Sequence, residues 1–333
     1  MKATTVDTRR RELLGSALAI SLAGGFAPLA LAADEKWPAR AVRFVVPFAP
    51  GGGADIATRM TAERLQALWN GIPAIVENKA GANTIIAAGA VVNAPRDGAT
   101  FLATIGLTMQ LPALVDNVSF NPMEDLVPVA PLTLEQLVLI TNAKSGFKTF
   151  AGMLEAAKRQ QGLAFGSYGV GSQSHLLLNA INQAAGVDIL HVPYKGAAPA
   201  VQAVLAGEVS LALANLGTVK EHIDSGRAVA LAVTGSAHYR FVPDVPTLKE
   251  SGIAGFDTPS WIGVFAAKGV PQPIIERASQ DIRQALRAPE LIARLNGFCQ
   301  EPGDMSREAF ARLVAQGTQD AVKMIKASGI RMQ

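Results

Sequence analysis

Residues 43–55 read RFVVPFAPGGGAD, and residues 165–175 read FGSYGVGSQSH. In each stretch a short β-rich run passes through a glycine-rich turn into a helical pattern. Glycine permits tight turns and lets a ligand approach the backbone closely, and the first N–H groups of the following helix have no partner inside the helix. Because the helix dipole also favours negative charge at that end, we expect two outward-facing helix N-termini that suit a carboxylate.

The order of elements around these two stretches indicates an α/β fold. From Val42 onward, short β-rich runs alternate with amphipathic helical stretches, which is typical of a mainly parallel sheet covered by helices. The pattern predicts strands at residues 42–46, 74–77, 100–104, 137–141, 163–165, 189–192, 209–213, 228–233 and 262–265. It predicts helices at residues 56–68, 84–93, 150–159, 174–185, 198–206, 273–286 and 307–327.

The chain is long enough for two lobes, since its 333 residues exceed the size at which a single hydrophobic core usually keeps growing. Prolines cluster on both sides of a middle section, and we interpret the clusters as two chain crossings. Residues 34–139 and 257–333 then form one lobe and residues 140–256 the other, with a two-segment hinge and a cleft suited to a small molecule. The clustered prolines are Pro122, Pro128, Pro131, Pro243, Pro246 and Pro259.

The first 33 residues have the layout of a secretory signal peptide. Three arginines at residues 9–11 precede a glycine-interrupted apolar run at residues 13–31, and small residues lead to an expected cleavage site near Ala32 or Ala33. The pair at residues 10–11, followed by Glu-Leu-Leu, fits the twin-arginine route, with general secretion as the alternative. We therefore expect export to the periplasm, and no later segment is apolar and long enough to span a bilayer.

The charge balance argues against nucleic acid as a partner. Removal of residues 1–33 takes away four basic and two acidic side chains, so the formal net charge falls from +3 to +1. No block of Lys and Arg remains that could follow a phosphate backbone.

Motifs for cofactors and metals are missing from the sequence. The loop at residues 50–55 has neither the Gly-Lys-Ser/Thr of a Walker motif nor a Gly-x-Gly-x-x-Gly fingerprint, and the four histidines lack the spacing of a zinc site. We expect no cofactor and no metal. The single cysteine, Cys299, excludes an intramolecular disulfide and has no nearby histidine to activate it.

Catalysis and purely structural roles are the alternatives to ligand binding. The stretch at residues 165–175 holds three serines and one histidine but lacks Gly-x-Ser-x-Gly, so we expect no enzyme, with an exported hydrolase or transferase as the alternative. Asp55 can be a first-turn acid and Ser172 an N-cap. His191, where a strand ends in a turn, can be a hydrogen-bonded structural residue.

Further short segments follow one another along the chain in a fixed order. They are Trp37-Pro38, VRFVVPF at 42–48, PGG at 50–52 with Asp55, VENKAGA at 76–82, APRDG at 94–98, HVPYKG at 191–196, LAVT at 231–234, PDVPT at 243–247 and SWIGVFA at 260–266. In order and spacing they resemble the Bug-type solute receptors, the periplasmic binding proteins of tripartite tricarboxylate transporters. The resemblance covers essentially the whole chain after the predicted signal peptide.

This resemblance implies the fold of a class II periplasmic binding protein, with two α/β lobes and a deep interlobe cleft. It implies that backbone N–H groups and ordered waters around residues 52–55 hold one ligand carboxylate. The facing lobe then offers the turn at residues 169–174, and Asn215 also reaches the cleft. The candidate binding residues are Phe48, Gly52, Gly53, Ala54, Asp55, Thr108, Ser167, Gly171, Ser172 and Asn215.

Two departures from the family pattern bear on the ligand. Members commonly carry Asp before the residue that matches Asn215, whereas this chain has Ala214, which weakens the case for an amino acid. Residues 105–110, IGLTMQ, are more apolar than the usual version, which favours a flatter or aromatic acid. We therefore expect a dicarboxylate or an aromatic acid as the ligand.

The function that the resemblance implies is capture of this small carboxylate without chemistry. The bound ligand bridges the lobes, shifts the equilibrium toward a closed form and creates a surface that permease subunits of a tripartite transporter recognise. We expect a monomer. A receptor that feeds a sensory partner instead of a permease is the alternative.

Overall fold

The computed structural model describes residues 37–159 and 162–330. The predicted signal peptide and its cleavage site lie outside the described residues. None of the described helices is both long and apolar enough to cross a membrane.

The strands follow the short apolar runs of the sequence. All nine predicted strands are present, with ends that differ by no more than about two residues, as is usual for predicted boundaries. The strands are β1 Val42–Val46, β2 Ala74–Asn78, β3 Thr100–Ile105, β4 Leu126–Glu135, β5 Leu137–Asn142, β6 Ala164–Ser167, β7 Leu190–Pro193, β8 Leu211–Asn215, β9 Ala228–Val233, β10 Ser260–Ala267 and β11 Glu301–Pro302. Of these, β4 and β11 were not predicted.

The helices follow the amphipathic stretches, and all seven predicted helices are present. They are α1 Gly53–Leu68, α2 Ile85–Val92, α3 Leu111–Leu114, α4 Pro122–Asp125, α5 Phe150–Arg159, α6 Gln173–Ala185, α7 Ala197–Ala206, α8 Leu216–Asp224, α9 Gln272–Leu286, α10 Pro289–Gly297 and α11 Arg307–Ser328. The sequence pattern did not predict α8, α10 or the single-turn helices α3 and α4.

The strands form two mixed sheets. The first has the order β11-β4-β10-β3-β1-β2, and the second has the order β7-β6-β8-β5-β9. Strand β1 is parallel to β2 and β3, and β6 is parallel to β7 and β8, as expected for strands joined by crossover helices. The remaining pairs are antiparallel, so the expectation of a mainly parallel sheet was wrong. Strands β4, β5, β9 and β10 flank the chain crossings, and of these β5 and β10 follow the preceding strand without an intervening helix.

Strand β4 escaped prediction because it contains two prolines, which cannot donate hydrogen bonds to a ladder. In its pairing with β10, Pro131 lies opposite Gly263 and Pro128 lies opposite Phe265, and the register shifts beside each pair. Bulges of this kind bend a strand and are where sheets accept proline. Two of the three prolines of the first cluster, Pro128 and Pro131, therefore belong to the last strand before the chain leaves the first sheet, and Pro122 begins α4.

The second sheet is buried on both faces. Along β5, Leu137 and Leu139 belong to one apolar core, whereas Val138 and Ile140 belong to another. Side chains of a strand alternate between its two faces, so a continuous apolar run is what a strand covered on both sides requires. The first sheet has a core of its own.

The last helix, α11, packs against the cores of both sheets. Phe310 and Val314, early in the helix, belong to the core of the first sheet, whereas Ala321 and Ile325 belong to a core of the second. These positions recur at helical spacing, so one apolar stripe of a single helix serves both cores.

The chain passes between the sheets twice. It leaves the first sheet at Glu135, enters the second at Leu137, and returns between Val233 and Ser260. The assignment of residues 34–139 and 257–333 to one lobe and of residues 140–256 to the other stays a prediction.

Gly263 leaves no room for a side chain, because a β-carbon there would overlap the completely buried ring of Phe310. We predict that Gly263→Ala lowers the free energy of unfolding by about 1–3 kcal/mol, since a packed core resists added volume. Urea unfolding followed by circular dichroism measures the change. Gly297→Ala is the control, because a β-carbon there meets no heavy atom within 4 Å. An equal loss in both variants would contradict the packing argument.

Candidate functional site

The first glycine-rich loop joins β1 to α1 and is held from inside by Asp55. This carboxylate is 2% exposed. It accepts hydrogen bonds from Gly51 N–H, Asn78 Nδ2 and Arg59 Nε, each at 2.9 Å. Asn78 Nδ2 also donates to the carbonyl of Phe48 at 3.0 Å. The side chain of Asp55 is therefore occupied within the loop.

These hydrogen bonds keep Asp55 ionised. Burial alone would raise the pKa of its carboxyl, but the hydrogen bonds from Arg59, Gly51 and Asn78 outweigh burial and hold the pKa below its usual value. The negative charge of Asp55 is balanced by Arg59 inside the first lobe.

The N-terminus of α1 is left open to an anion. The N-cap residue, Gly52, has an extended backbone (φ −80°, ψ 166°) and brings no capping side chain. The N–H groups of the first turn, which includes Gly53 and Ala54, have no partner inside the helix. The dipole of α1 adds to their attraction for negative charge.

The second glycine-rich loop joins β6 to α6 and is closed by its own serines. Ser167 Oγ is completely buried, lies 2.6 Å from His191 Nε2 and donates to the carbonyl of Gly169 at 3.2 Å. Ser172 Oγ donates to the same carbonyl at 2.6 Å and lies 2.9 Å from Ser174 Oγ. Ser172 occupies the N-cap position of α6 but makes no capping hydrogen bond. The hydroxyl groups thus hold the loop together.

Two stacked histidines support this second loop. The ring centroids of His175 and His191 lie 3.7 Å apart. Gly171 N–H donates a hydrogen bond to His175 Nδ1 at 3.2 Å. Burial, and then the neighbouring imidazole, lower the pKa of His175 to about 4, and burial lowers the pKa of His191. Both rings are therefore neutral at pH 7, and His191 has the hydrogen-bonded structural role that its position in the sequence indicated.

Ser167 and His191 have the separation of a nucleophile and its base. In the described part of the chain, however, no carboxylate hydrogen-bonds to either histidine ring, and Ser167 is inaccessible to a substrate. The third member of a catalytic triad is thus missing. Across residues 37–159 and 162–330, no group of His, Cys, Asp and Glu could hold a metal ion.

Elements of the two sheets meet at the start of α1. A β-carbon on Gly53 would lie 3.2 Å from Gln300 Nε2 and 3.9 Å from Cγ of Asn215, the last residue of β8. Nearby, Ser260 Oγ donates to Gln173 Oε1 at 2.8 Å and links β10 to α6. The helix N-terminus therefore comes from α1, which follows β1 of the first sheet, and the amide of Asn215 comes from β8 of the second sheet.

A third segment, at residues 81–84, lies against the second glycine-rich loop. A β-carbon on Gly169 would lie 3.8 Å from Asn83 Oδ1. Ala82, Asn83 and Thr84 have φ angles of 43°, 48° and 78°, a region that costs non-glycine residues on the order of 1 kcal/mol or more each and that concentrates at functional sites. The sequence prediction placed Thr84 in a helix. The sequence feature that could have indicated this turn is Asn83, two residues after Gly81, because Asn tolerates the left-handed region.

Thr108 lies behind this left-handed turn. Its Oγ1 donates to Thr84 Oγ1 at 2.9 Å and lies 2.6 Å from Thr104 Oγ1, and all three side chains are buried. The hydroxyl of Thr108 therefore fixes the turn. The neighbouring Leu107 and Met109 pack into apolar cores. Packing therefore accounts for the apolar character of these two residues, and the preference for an aromatic acid stays a prediction.

Ala214 is turned away from the site. It is completely buried in the same core as Val138 and Val201. The next residue, Asn215, lies beside Gly53. Because side chains alternate along a strand, residue 214 reaches the core and not the ligand. The lack of Asp at this position therefore carries no direct argument against an amino acid.

Two buried polar residues at the site were not predicted. Glu135, at the end of β4, is 6% exposed, and Gln300 is 2% exposed. Gln300 Nε2 lies 3.4 Å from the carbonyl oxygen of Gly53 and 3.4 Å from Glu135 Oε2. Burial raises the pKa of Glu135 by more than the hydrogen bonds from Asn215 and Gln300 lower it. No local pattern marks either residue, since they meet only through the fold.

Comparison with known proteins identifies the family. The family model described as "Tripartite tricarboxylate transporter family receptor" (TctC) matches residues 58–330. The chain belongs to this family. BugT of Bordetella pertussis is 35% identical over 289 residues, which cover 86% of each chain.

Two solved structures have a similar fold. Rpa4515 of R. palustris, solved with adipate, has a TM-score of 0.82 at 29% identity, with 89% of this chain and 100% of that chain covered. MatC (Rpa3494) of Rhodopseudomonas palustris, solved with bound malate, has a TM-score of 0.78 at 28% identity, with 87% and 100% covered.

The family assignment confirms the resemblance to Bug-type receptors and the fold of two α/β lobes. TctC-family receptors are periplasmic binding proteins and not enzymes. The family therefore decides against the hydrolase or transferase alternative, in agreement with the missing triad member.

We predict that Asp55→Asn lowers the free energy of unfolding by about 1–3 kcal/mol, because an amide cannot accept all the hydrogen bonds that the carboxylate accepts. The pKa of Asp55 is lowered in the folded state. Its contribution is therefore complete above its unfolded pKa of about 3.9 and is lost as the pH falls through the folded value.

The difference in unfolding free energy between wild type and Asp55→Asn should thus be largest above about pH 5 and shrink below about pH 4. Urea unfolding at several pH values measures it. Asp320→Asn, which removes an exposed carboxylate on α11 that lies near Lys323, is the control and should change stability by less than about 0.5 kcal/mol. A difference that keeps its full size at low pH would contradict the role of the Asp55 charge.

Proposed function

We propose that the chain is an extracytoplasmic solute-binding protein that captures a small organic dicarboxylate for a tripartite tricarboxylate-type membrane transporter. The observation that carries the proposal is the start of α1. Gly52 brings no capping side chain, and the next residue, Gly53, lies beside Asn215 of the other sheet. A carboxylate placed there accepts from backbone N–H groups of one lobe and from an amide of the other.

We divide the predicted site residues into those proposed to contact the ligand and those proposed to support them. We assign direct contact with the ligand to Phe48, Gly52, Gly53, Ala54, Gly171 and Asn215. A supporting role falls to Asp55, Thr108, Ser167 and Ser172, whose polar side-chain atoms hydrogen-bond to other groups of the protein. Supporting residues still affect affinity, because they fix the positions of the groups that bind.

A dicarboxylate is favoured by the pairing of two helix N-termini. The start of α1 suits one carboxylate, and the glycine-rich turn before α6 suits the second. The relatives solved with adipate and with malate carry ligands of this class. An aromatic acid stays a prediction with less support, because packing into the cores accounts for the apolar Leu107 and Met109.

Capture follows from closure of the two lobes, taken as residues 34–139 with 257–333 and residues 140–256. A ligand that contacts both lobes binds the closed form more tightly than the open form and shifts the population toward it. The closed form then presents the surface that the permease subunits bind. Export through the signal peptide at residues 1–33 places the protein in the periplasm, where it acts as a monomer.

We predict that Gly53→Asp abolishes binding of dicarboxylates, because the added carboxylate occupies the anion site and repels a second negative charge. Isothermal titration calorimetry with adipate and with malate measures the loss. Gly53→Ala is the matched control for size, since its β-carbon reaches 3.2 Å from Gln300 Nε2 without adding charge. Gly53→Asp with wild-type affinity would show that the anion site lies elsewhere.

We further predict that one dicarboxylate raises the melting temperature by roughly 5 °C or more when present at a hundred times its dissociation constant. A thermal-shift screen of malate, adipate, citrate, benzoate and terephthalate measures this, with the dimethyl ester of adipate as the uncharged control. Native mass spectrometry of the gently purified protein should reveal a retained acid. If no acid changes the melting temperature, the proposed function is wrong.

A further inference from the structure

Glu135 occupies an unusual place for an acidic residue. It ends β4 at the point where the chain leaves the first sheet, and it is paired in register with Ser260 of β10. Only 6% of it is exposed. Its carboxyl group receives hydrogen bonds from the amides of Asn215 and Gln300, two residues that also lie against Gly53. A buried acid thus adjoins the helix N-terminus to which the proposed function assigns an anion.

No basic side chain balances Glu135. Among the salt bridges of the described residues, none includes it. The ionisable groups that face it are the phenols of Tyr168 and Tyr239, whose own pKa values are raised by burial and by the Glu135 charge. Two acidic side chains of neighbouring elements have basic partners of their own: Glu301 on β11 is paired with Arg240, and Asp55 on α1 is paired with Arg59.

An unbalanced charge at such a depth is costly, and a buried carboxyl lowers that cost by taking a proton. The amides of Asn215 and Gln300 stabilise the neutral acid and the carboxylate alike, because each can donate a hydrogen bond to either. Burial accordingly raises the pKa of Glu135 above its ordinary value. The surroundings favour the protonated acid.

The amide of Gln300 supplies a second and independent observation. Its Oε1 is buried and has no hydrogen-bond partner among the described residues. A buried acceptor without a donor costs about 1–3 kcal/mol. A carboxylate cannot satisfy it, because an ionised acid only accepts, whereas a carboxylic acid has one O–H to donate. Half a turn of the amide exchanges Oε1 with Nε2 and brings this acceptor to the carboxyl of Glu135, at the loss of the 3.4 Å contact between Nε2 and the Gly53 carbonyl oxygen.

We propose that Glu135 is a specificity-determining residue that is a neutral carboxylic acid in the ligand complex, so that under conditions where it is ionised in the free protein a carboxylate ligand and one proton enter the site together. This inference rests on the proposed function, since it requires an anion at the start of α1. A ligand carboxylate beside Gly53 adds negative charge near Glu135 and makes its ionised form still less favourable. The protonated acid donates to Gln300 and keeps both amides oriented toward the ligand.

The sign of the pH dependence follows from this coupling. The pKa of Glu135 is higher with ligand than without, so the complex holds more protons than the free protein between the two values. Affinity is therefore greatest below the free-protein pKa. It falls by up to about tenfold for each pH unit above that value.

Isothermal titration calorimetry with adipate from pH 6.5 to 9.0 tests the proposal, with malate as the probe if adipate does not bind. Both acids are fully ionised over this range, since aliphatic carboxyls titrate near about pH 4–5. For wild type we expect affinity to fall with rising pH. In two buffers of different ionisation enthalpy, the heats should report uptake of up to one proton per ligand.

Glu135→Gln keeps the shape and hydrogen bonding of the neutral acid but cannot titrate. We expect it to bind with the affinity that wild type has at pH 6.5, to keep that affinity across the range and to take up no proton. The matched control is Glu301→Gln, because Glu301 lies on the neighbouring β11 but is partly exposed and paired with Arg240. This control should keep the pH profile of wild type.

Two outcomes overturn the inference while leaving the proposed function intact. One is the same pH profile in wild type and in Glu135→Gln. The other is a loss of more than about tenfold in affinity at pH 6.5 for a Glu135→Gln variant that unfolds like wild type, since this shows that the site needs the ionised carboxylate. Absence of binding by wild type at every pH overturns the proposed function, and the inference with it.

Discussion

The buried carboxylate of Asp55 fixes the geometry on which the candidate site depends. It collects hydrogen bonds from the loop before α1, from the end of β2 and from α1 itself. Three segments of the first lobe are thereby held in one arrangement, and the first turn of α1 is left without a capping side chain. The second glycine-rich loop is likewise held by side chains, because the hydroxyls of Ser167 and Ser172 hydrogen-bond to the loop backbone. In the function that we propose, an anion is recognised by backbone groups and the dipoles of two helices, which suit carboxylates in general.

The way the chain crosses between the sheets explains why a charged residue is buried at the site. Only Gln136 separates β4 from β5, so the end of one sheet and the start of the other are forced together. Glu135 is enclosed by this junction and by the residues that return to it, Asn215 and Gln300. The same junction brings the amide of Asn215 beside Gly53. Binding and the protonation of Glu135 are therefore linked through one small cluster of side chains.

The left-handed turn at residues 82–84 shows a different balance of local and tertiary forces. Its backbone is unfavourable for Ala and Thr, and the turn persists because buried hydroxyls hold it from behind. Thr84 is bonded to Thr108, which in turn lies against Thr104. The turn lies close to Gly169 on the second lobe. An unfavourable left-handed backbone is thus present where the two lobes approach each other, as at many functional sites.

The sequence by itself determined most of the strands and helices and the family. Alternation along β5 and helical spacing along α11 are local consequences of strand and helix geometry, and so the predicted strands and helices are present. Strand β4 was missed because its prolines are tolerated only at bulges that depend on its partner β10. The two glycine-rich loops were predicted for the same reason, since glycine and a helix start are features of consecutive residues.

Only the tertiary structure decided what the polar side chains do. The sequence predicts Asp55, Ser167, Ser172 and Thr108 as ligand contacts, and the structure shows that the side chain of each hydrogen-bonds to other groups of the protein, whereas Ala214 faces a core. The cluster of Glu135, Asn215 and Gln300 joins residues 80 and more positions apart in the chain. Burial and hydrogen-bond partners are properties of the folded molecule, because they depend on which distant segments enclose a group. A local sequence pattern does not indicate the burial or the hydrogen-bond partners of these groups.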